Sequence, residues 1–324
     1  MHSNTHFKEI ESPVVVLVGP TAIGKTDLSI AIAQEHRCEV VSVDSMQVYR
    51  HMDIGTAKIT EEEKQGIPHH LIDIVDPDEE YNVARFVEDA RGAIDKIHAR
   101  GCTPLLTGGT GLYLNGLING IFEGVPSDHE IRGRLRARIE KEGSRALHEE
   151  LAAVDSNAAD KIHPNDSARI LRALEVYLAS GMSISEHIRL QKKSERRIVF
   201  KKIMIVGLNT SRELLYKRIN MRTRTMIEEG LEEEVHSLLA MGYSPELKSM
   251  QSIGYRHMCN YINGEWSKDE LYDMLARDTR RYAKRQFTWF NKDKDINWFE
   301  RDKKDEIQHF ISRWLHSLGS NGEQ

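Results

Sequence analysis

The 324-residue sequence contains only three cysteines, Cys38, Cys102 and Cys259, and none sits in a C-x-x-C spacing. That scarcity excludes a zinc ribbon and a disulfide framework and points to a reducing, cytoplasmic setting. Long apolar runs are also missing. Residues 1–12 are polar and the run at 14–18 is too short for a signal-peptide core or a membrane span, so neither export nor membrane association is expected. There is no excess of basic charge. The 45 Lys+Arg against 50 Asp+Glu leave a net charge of −5, so any polyanion site must be local. Internal repeats and low-complexity tracts are absent as well. What remains is an ordinary globular composition, 40% apolar and 29% charged, over a length that suits about two domains.

The β-branched run Val14-Val15-Val16-Leu17-Val18 has the character of a strand buried on both faces, as in a parallel sheet. A Gly-containing turn follows, then a helical pattern at 24–36 and a second strand at 39–43, which together make a βαβ unit. A further unit is expected from an amphipathic helix at 83–98, a strand at 103–107 and a second Gly-rich turn, Gly108-Gly109-Thr110-Gly111, that opens another helix. From 122 to about 197 the texture becomes charged and helix-forming, with breaks near Gly143, His163-Pro164 and Gly181. A strand signal returns at 203–208, with Ser211 as the N-cap of the next helix. The last third is mostly helical, with a short strand at 297–300 and a frayed tail at 319–324. The expected fold class is therefore α/β: a parallel-sheet core of the P-loop NTPase type flanked by helices, residues 1–121 and 200–324, interrupted by a helical insertion at 122–199.

Gly19-Pro20-Thr21-Ala22-Ile23-Gly24-Lys25-Thr26 matches G-x-x-x-x-G-K-[ST] between a buried strand and a helix start, the context a phosphate-binding loop requires. Glycines let successive backbone N–H groups point at phosphate oxygens, and the helix N-terminus adds partial positive charge. Lys25 supplies a point charge, and the Thr26 hydroxyl is placed to ligand a Mg²⁺ bridging the phosphates. The alternative is a chance Gly-rich turn with an exposed lysine. Such a loop announces a diphosphate or triphosphate group and leaves open what is transferred.

Asp44 lies at the C-terminal end of the second strand, the edge of an α/β sheet where ligands bind. It can ligand magnesium, cap the following turn, or act as a general base. Thr110, after another strand, can contact a phosphate oxygen from the opposite side or simply initiate its helix.

At this point the chain resembles the tRNA dimethylallyltransferases. The blocks that carry the resemblance are the loop at 19–26, Val43-Asp44-Ser45-Met46-Gln47-Val48-Tyr49, Asp53-Ile54-Gly55-Thr56-Ala57-Lys58 and Pro68-His69-His70-Leu71-Ile72-Asp73. They continue through Gly108-Gly109-Thr110-Gly111-Leu112-Tyr113, His163-Pro164-Asn165-Asp166, Arg169 with Arg172-Ala173-Leu174-Glu175, Gly254-Tyr255-Arg256 and Ala283-Lys284-Arg285-Gln286, so the resemblance spans about 14–290. It implies transfer of a dimethylallyl group from dimethylallyl diphosphate to N6 of adenosine 37, the base 3′ of the tRNA anticodon, with diphosphate released. The loop would then hold the leaving group. Asp44 would accept or orient the N6 proton, and Thr110 would contact the leaving group or the reacting centre. The base must leave its stack to arrive there. Two departures stand out: Ile23, where many members carry serine, and His51, where glycine is common. The lone cysteines offer no C-terminal zinc finger of the eukaryotic kind, which implies the bacterial type.

Basic residues concentrate in two stretches. Arg189, Lys192, Lys193, Arg196, Arg197, Lys201 and Lys202 close the insertion, and Arg277, Arg281, Lys284 and Arg285 share one face of a helix from about 269. Such a face contacts phosphates or is merely solvated, and Tyr282 or Phe287 packs beneath it or stacks on bases. Arg132, Arg169 and Arg172 on the insertion are ordinary candidates for surface ion pairs. The resemblance assigns them, with Ser45, Met46, Gln47, Gly254, Tyr255 and Arg256, to the anticodon stem-loop; Tyr255 has a core alternative. His69 and His70, being adjacent, point apart and are read as structural. Met226 and Met258 are read as core filler. A monomer is expected. Rival readings are an adenylate dimethylallyltransferase acting on free AMP, ADP or ATP, a nucleotide-dependent RNA-binding switch with Asp44 as a magnesium ligand, and a small-metabolite kinase. The long insertion and basic helix favour tRNA over the first.

Overall fold

In the computed structural model, residues 8–120, 128–193 and 198–319 are described. The first half of the chain runs β1 (Lys8–Ile10), β2 (Val14–Val18), α1 (Lys25–His36), β3 (Cys38–Val43), α2 (Glu61–Lys64), β4 (His69–His70), α3 (Val83–Ala99), β5 (Thr103–Gly108) and α4 (Gly111–Asn119). Five helices follow: α5 (His129–Glu142), α6 (Ser144–Val154), α7 (Ser156–Ala159), α8 (Ser167–Ser180) and α9 (Ile184–Lys193). The chain ends with β6 (Ile198–Phe200), β7 (Ile203–Asn209), α10 (Arg212–Glu228), α11 (Leu231–Ala240), α12 (Tyr255–Ile262), α13 (Lys268–Phe290), β8 (Ile296–Glu300) and α14 (Lys304–Gly319).

All five residues of β2 are buried, because a strand in the middle of a parallel sheet is covered on both faces. The sheet has the order β4-β3-β5-β2-β7-β8, with every pairing parallel. Chain order reverses at β2: β3 and β5 lie to one side, β7 and β8 to the other. The crevice beyond the C-terminal ends of the strands at such a reversal is where open α/β sheets bind ligands. The short strand expected at 297–300 is β8, an edge strand paired with β7 from Ile205↔Ile296 to Asn209↔Glu300.

One face of the sheet packs Val15, Leu17, Leu105 and Val206 against Leu28 and Ile32 of α1 and Ile307 and Ile311 of α14. Fully burying each such side chain contributes about 1.5–3 kcal/mol. Ile23 of the Gly-rich loop is fully buried in the same cluster, so an apolar residue at this departure anchors the loop to the core. The second departure, His51, adopts φ +65°, the left-handed conformation that favours glycine.

The chain divides into two compact units, residues 9–119 with 199–324 and residues 1–8 with 120–198. The second unit is helical. Ile131, Leu135, Leu147, Leu151, Ile170 and Leu174 form its core. Its breaks have stereochemical causes: Gly143 at φ +84° ends α5, and Gly181 at φ +71° ends α8. The α8 N-terminus is capped by Asp166, whose carboxylate accepts from the Arg169 N–H. Arg196 and Arg197, the side chains of Lys192 and Lys193, and the tail at 320–324 lie outside the described residues.

Candidate active site

The Gly-rich loop leaves β2 and turns into α1 through Gly24 at φ +106°, a conformation closed to most side chains. Lys25 opens the helix and folds back over the loop. Its ammonium donates to the carbonyls of Gly19 and Pro20, at 2.9 Å each. Burial lowers its pKa to about 8, Arg222 adds to the effect, and the negative charge of Asp44 opposes it.

Three arginines that the sequence reading did not single out hold the loop from outside. Arg218 Nε donates to the Ala22 carbonyl at 2.7 Å, and Arg301 Nε to the Ile23 carbonyl at 2.9 Å. Arg222 donates to the Thr21 hydroxyl at 3.3 Å and to the Thr56 carbonyl at 3.5 Å. Its pKa is lowered, chiefly by burial. Arg218 and Arg222 are one turn apart on α10, which sends both side chains to one face. That spacing was the available signal. Which face meets the loop depends on β7 lying beside β2, a non-local fact.

Asp44 sits just past β3. Its Oδ1 accepts from the N–H groups of Met46 at 2.8 Å and Gln47 at 3.3 Å, so one oxygen caps the turn. Both bonds fall on the same oxygen, so capping the turn and handling a proton at Oδ2 are compatible. Thr110 Oγ1 accepts from the Ser45 N–H at 3.2 Å, which ties the second Gly-rich turn to the Asp44 turn. Burial pushes the phenol of Tyr282, on α13, up to about 12. Gln47 is held by Ser42 Oγ, which donates to it, and by its own donation to the Thr56 and Ala57 carbonyls.

Around these groups lies an open cavity of about 650 Å³, within the range of small-molecule sites. Lys25, Asp44, Arg222 and Tyr282 line it together with Met221 and Met226. Met226 therefore lines the cavity, which corrects its reading as core filler, whereas Met258 is fully buried. The periodicity of α10 puts Met226 four residues from Arg222, on the cavity side. A lining that combines cationic groups with thioethers suits an amphiphile with an anionic head and a short apolar tail.

The 53–58 block forms another part of the cavity wall, with Asp53, Ile54, Thr56, Ala57 and Lys58 lining it, and is held from behind. The Glu234 carboxylate accepts from the N–H groups of Asp53 (2.8 Å), Ile54 (2.7 Å) and Gly55 (3.0 Å) and from the Tyr255 hydroxyl (2.6 Å). A Cβ on Gly55 would stand 2.5 Å from the Tyr255 ring, so the glycine is required there. Tyr255, assigned by resemblance to the RNA, is fully buried. Its core alternative is the one the structure realises. Lys58, nearly buried, donates to the Tyr49 carbonyl and to Asp53 and Asp73, which explains three motif residues at once. His70 bonds Glu39 at 2.7 Å and His69 the Ile67 carbonyl at 2.8 Å. Among the described residues no three His, Cys, Asp or Glu side chains gather as a metal site.

Asp278 of α13 receives Arg256 at 2.8 Å, Arg277 at 3.2 Å, His257 at 3.3 Å and Arg281 at 3.4 Å. One carboxylate thus gathers three guanidinium groups, leaving a local excess of positive charge. Arg281, Lys284 and Arg285 are exposed on the same helix, and Arg285 lies over the Tyr282 ring. In the helical unit, Arg132 and Arg172 both bind Glu175, at 2.9 and 3.1 Å, and that carboxylate is fully buried. Arg169 pairs with Asp166 at 3.4 Å and remains largely exposed. At the end of the insertion, Arg189 pairs with Glu186; Lys201 pairs with Glu9.

A family model described as IPP transferase matches residues 47–293, and one described as isopentenyl transferase matches 12–74. A tRNA dimethylallyltransferase of Desulfotalea psychrophila is 54% identical over 309 residues, covering 95% of this chain and 98% of the relative. Another from Acetivibrio thermocellus is 45% identical over 310 residues, covering 95% and 98%. The crystal structure of the full-length tRNA isopentenylpyrophosphate transferase from Bacillus halodurans superposes with TM-score 0.71 at 41% identity, covering 97% of this chain and all of that one. A eukaryotic dimethylallyltransferase captured acting on tRNA gives TM-score 0.75 at 29% identity, with 94% and 77% covered.

Proposed function

The chain belongs to the IPP transferase family, and from that premise we propose that its cavity carries dimethylallyl transfer from dimethylallyl diphosphate to N6 of adenosine 37 in the tRNA anticodon stem-loop. It is an enzyme that modifies tRNA by prenyl transfer. The observation that carries the residue-level reading is the convergence of Lys25, Arg222, Asp44 and two methionines on one cavity.

The diphosphate head lies against the loop amides of residues 19–26, Lys25 and Arg222, and the five-carbon tail against Met221 and Met226. The adenine N6 lone pair forms a bond to C1 of the allyl group as the C1–O bond breaks. The electron pair of that bond leaves on the diphosphate, where Lys25 and Arg222 stabilise the added charge. The N6 proton passes to Asp44, at the carboxylate oxygen that does not cap the turn. Thr110, held by the Ser45 N–H, borders the reacting centre.

The Thr26 hydroxyl, an oxygen donor in the first turn of α1, would hold a hard cation such as Mg²⁺ together with oxygens of the substrate diphosphate. When bound there, Mg²⁺ neutralises charge on the leaving diphosphate. For the acceptor, we propose that Arg281, Lys284, Arg285 and Arg256 of the core, with Ser45, Met46 and Gln47 near the reacting centre, contact the anticodon arm. In the helical unit Arg132, Arg169 and Arg172 do so, two of them oriented by Glu175. The reaction is cytoplasmic in this reading, and the three cysteines are free thiols.

The test is a Mg²⁺-dependent assay with labelled dimethylallyl diphosphate, offering an unmodified anticodon stem-loop and free AMP or ATP in parallel, with mass spectrometry of products. Label on the stem-loop adenosine is expected. Label only on the free nucleotide would replace this reading with the adenylate enzyme, and donor binding without transfer to either would replace it with the switch or the kinase.

A further inference from the structure

Gln286 of α13 is buried between two loops that are far apart in sequence. Its side-chain oxygen accepts from the Thr21 N–H of the phosphate loop at 2.9 Å, and its amide nitrogen donates to the Gly109 carbonyl at 2.9 Å. The two partners dictate the orientation of the amide, because an N–H needs an acceptor and a carbonyl needs a donor. Among side chains of this length, only glutamine offers both in one rigid plane. The fit is close enough to require a glycine, since a Cβ on Gly109 would stand 2.1 Å from the Gln286 nitrogen.

The Gly109 turn is in turn bound to the Asp44 turn. The Thr110 N–H donates to the Val43 carbonyl at 3.2 Å, the Ser45 N–H donates to Thr110 Oγ1, and the Gly108 Cα lies so close to the Val43 carbonyl that a Cβ would stand 2.1 Å from its oxygen. A path of hydrogen bonds therefore runs Thr21–Gln286–Gly109 and, across the Gly109–Thr110 peptide link, on from Thr110 to Ser45. It links the loop that holds the leaving group to the turn that carries the carboxylate. Tyr282, one helical turn before Gln286, lines the same cavity as Gln286.

We propose that Gln286 is a positioning residue whose amide sets the separation between the diphosphate loop and the Asp44 turn, and so between the leaving group and the proton acceptor. The inference rests on the prenyl-transfer reading above. Its physical content is that alignment of reacting groups governs the chemical step more than binding, and that small misplacements cost about 100-fold in rate.

The experiment measures the single-turnover transfer rate at saturating donor and acceptor for wild type, Gln286→Ala and Gln286→Glu. The affinity for inorganic diphosphate with Mg²⁺ and the melting temperature are measured alongside. Gln286→Ala is expected to lose roughly 10- to 100-fold in rate, with diphosphate affinity within about threefold of wild type. Gln286→Glu keeps the acceptor for Thr21 and recovers a donor for Gly109 only when protonated, so its rate relative to wild type should rise as pH falls from about 8 to about 6. A wild-type rate in Gln286→Ala, or a rate loss matched by an equal loss of diphosphate affinity, would overturn the proposal, as would a Gln286→Glu to wild-type ratio that does not change with pH. Each rate is taken on whichever acceptor the wild type uses, stem-loop or free nucleotide. Failure of the tRNA reading then shows in the wild type alone, and failure of the bridge shows in the variants.

Discussion

Replacing Glu234 by glutamine tests whether a single carboxylate holds the 53–58 turn against the cavity. Glu234 accepts four hydrogen bonds, two on each oxygen: Asp53 and Ile54 on Oε2, Gly55 and Tyr255 on Oε1. An amide in its place keeps one oxygen acceptor and turns an NH₂ group toward two N–H donors. Bonds to a charged acceptor are worth about 1.5–3 kcal/mol and an unmade buried one costs about 1–3 kcal/mol, so a net loss of about 3 kcal/mol is expected once the turn relaxes. For a unit of this size that is a fall of roughly 6–12 °C in melting temperature. The turn also places the Thr56 carbonyl that receives Arg222, so the KM for the diphosphate donor should rise several-fold. Scanning calorimetry and donor-saturation kinetics on Glu234→Gln measure both effects, with Tyr255→Phe, which removes one of the four bonds, falling between variant and wild type. A Glu234→Gln melting temperature within about 1 °C of wild type would refute the reasoning, because it would mean that the turn does not depend on the carboxylate.

Asp44→Asn preserves an acceptor for the Met46 and Gln47 N–H groups but cannot take a proton; kcat should fall about 10²- to 10⁴-fold with diphosphate affinity little changed, and a wild-type kcat would remove the proposed base. His51→Gly relieves a left-handed backbone and should raise stability by up to about 1 kcal/mol in chemical denaturation, whereas a loss would show that the imidazole holds the turn. Glu39 is held down to about 2 by Arg100 and, to a lesser degree, His70. A carboxylate with a depressed folded pKa stabilises the protein fully above its unfolded pKa of about 4.5, and that contribution is lost as pH falls toward 2. With screening at the half-exposed Arg100 the loss is on the order of 2 kcal/mol, and Glu39→Gln should flatten the stability profile between about pH 5 and 2.

The two Gly-rich turns, the strands that precede them and the helical breaks were legible because each rests on local chemistry: a buried β-branched run, a left-handed glycine, an Asx or Ser cap. Ser211, expected as an N-cap, accepts from the Leu214 N–H as a capping serine should. The resemblance located Asp53–Lys58 and Gly254–Arg256 as blocks without revealing that the Glu234 carboxylate, which accepts from both, ties them together. Met226 was misjudged because its burial depends on what faces α10, and composition is silent on that.

By itself the sequence determined the fold class, the Gly-rich loop, the candidate carboxylate and the family, since these follow from patterns of neighbouring residues. Only the tertiary structure decided which cations hold the loop, that Tyr255 lies inside, and that Gln286 spans two loops. Arg218, Arg222 and Arg301 reach the loop because β7 and β8 complete the sheet beside β2. Gln286 meets Thr21 across 265 residues of chain. Such contacts are set by parallel strand order, and strand order is fixed by burial of the whole sheet and not by any local run of residues.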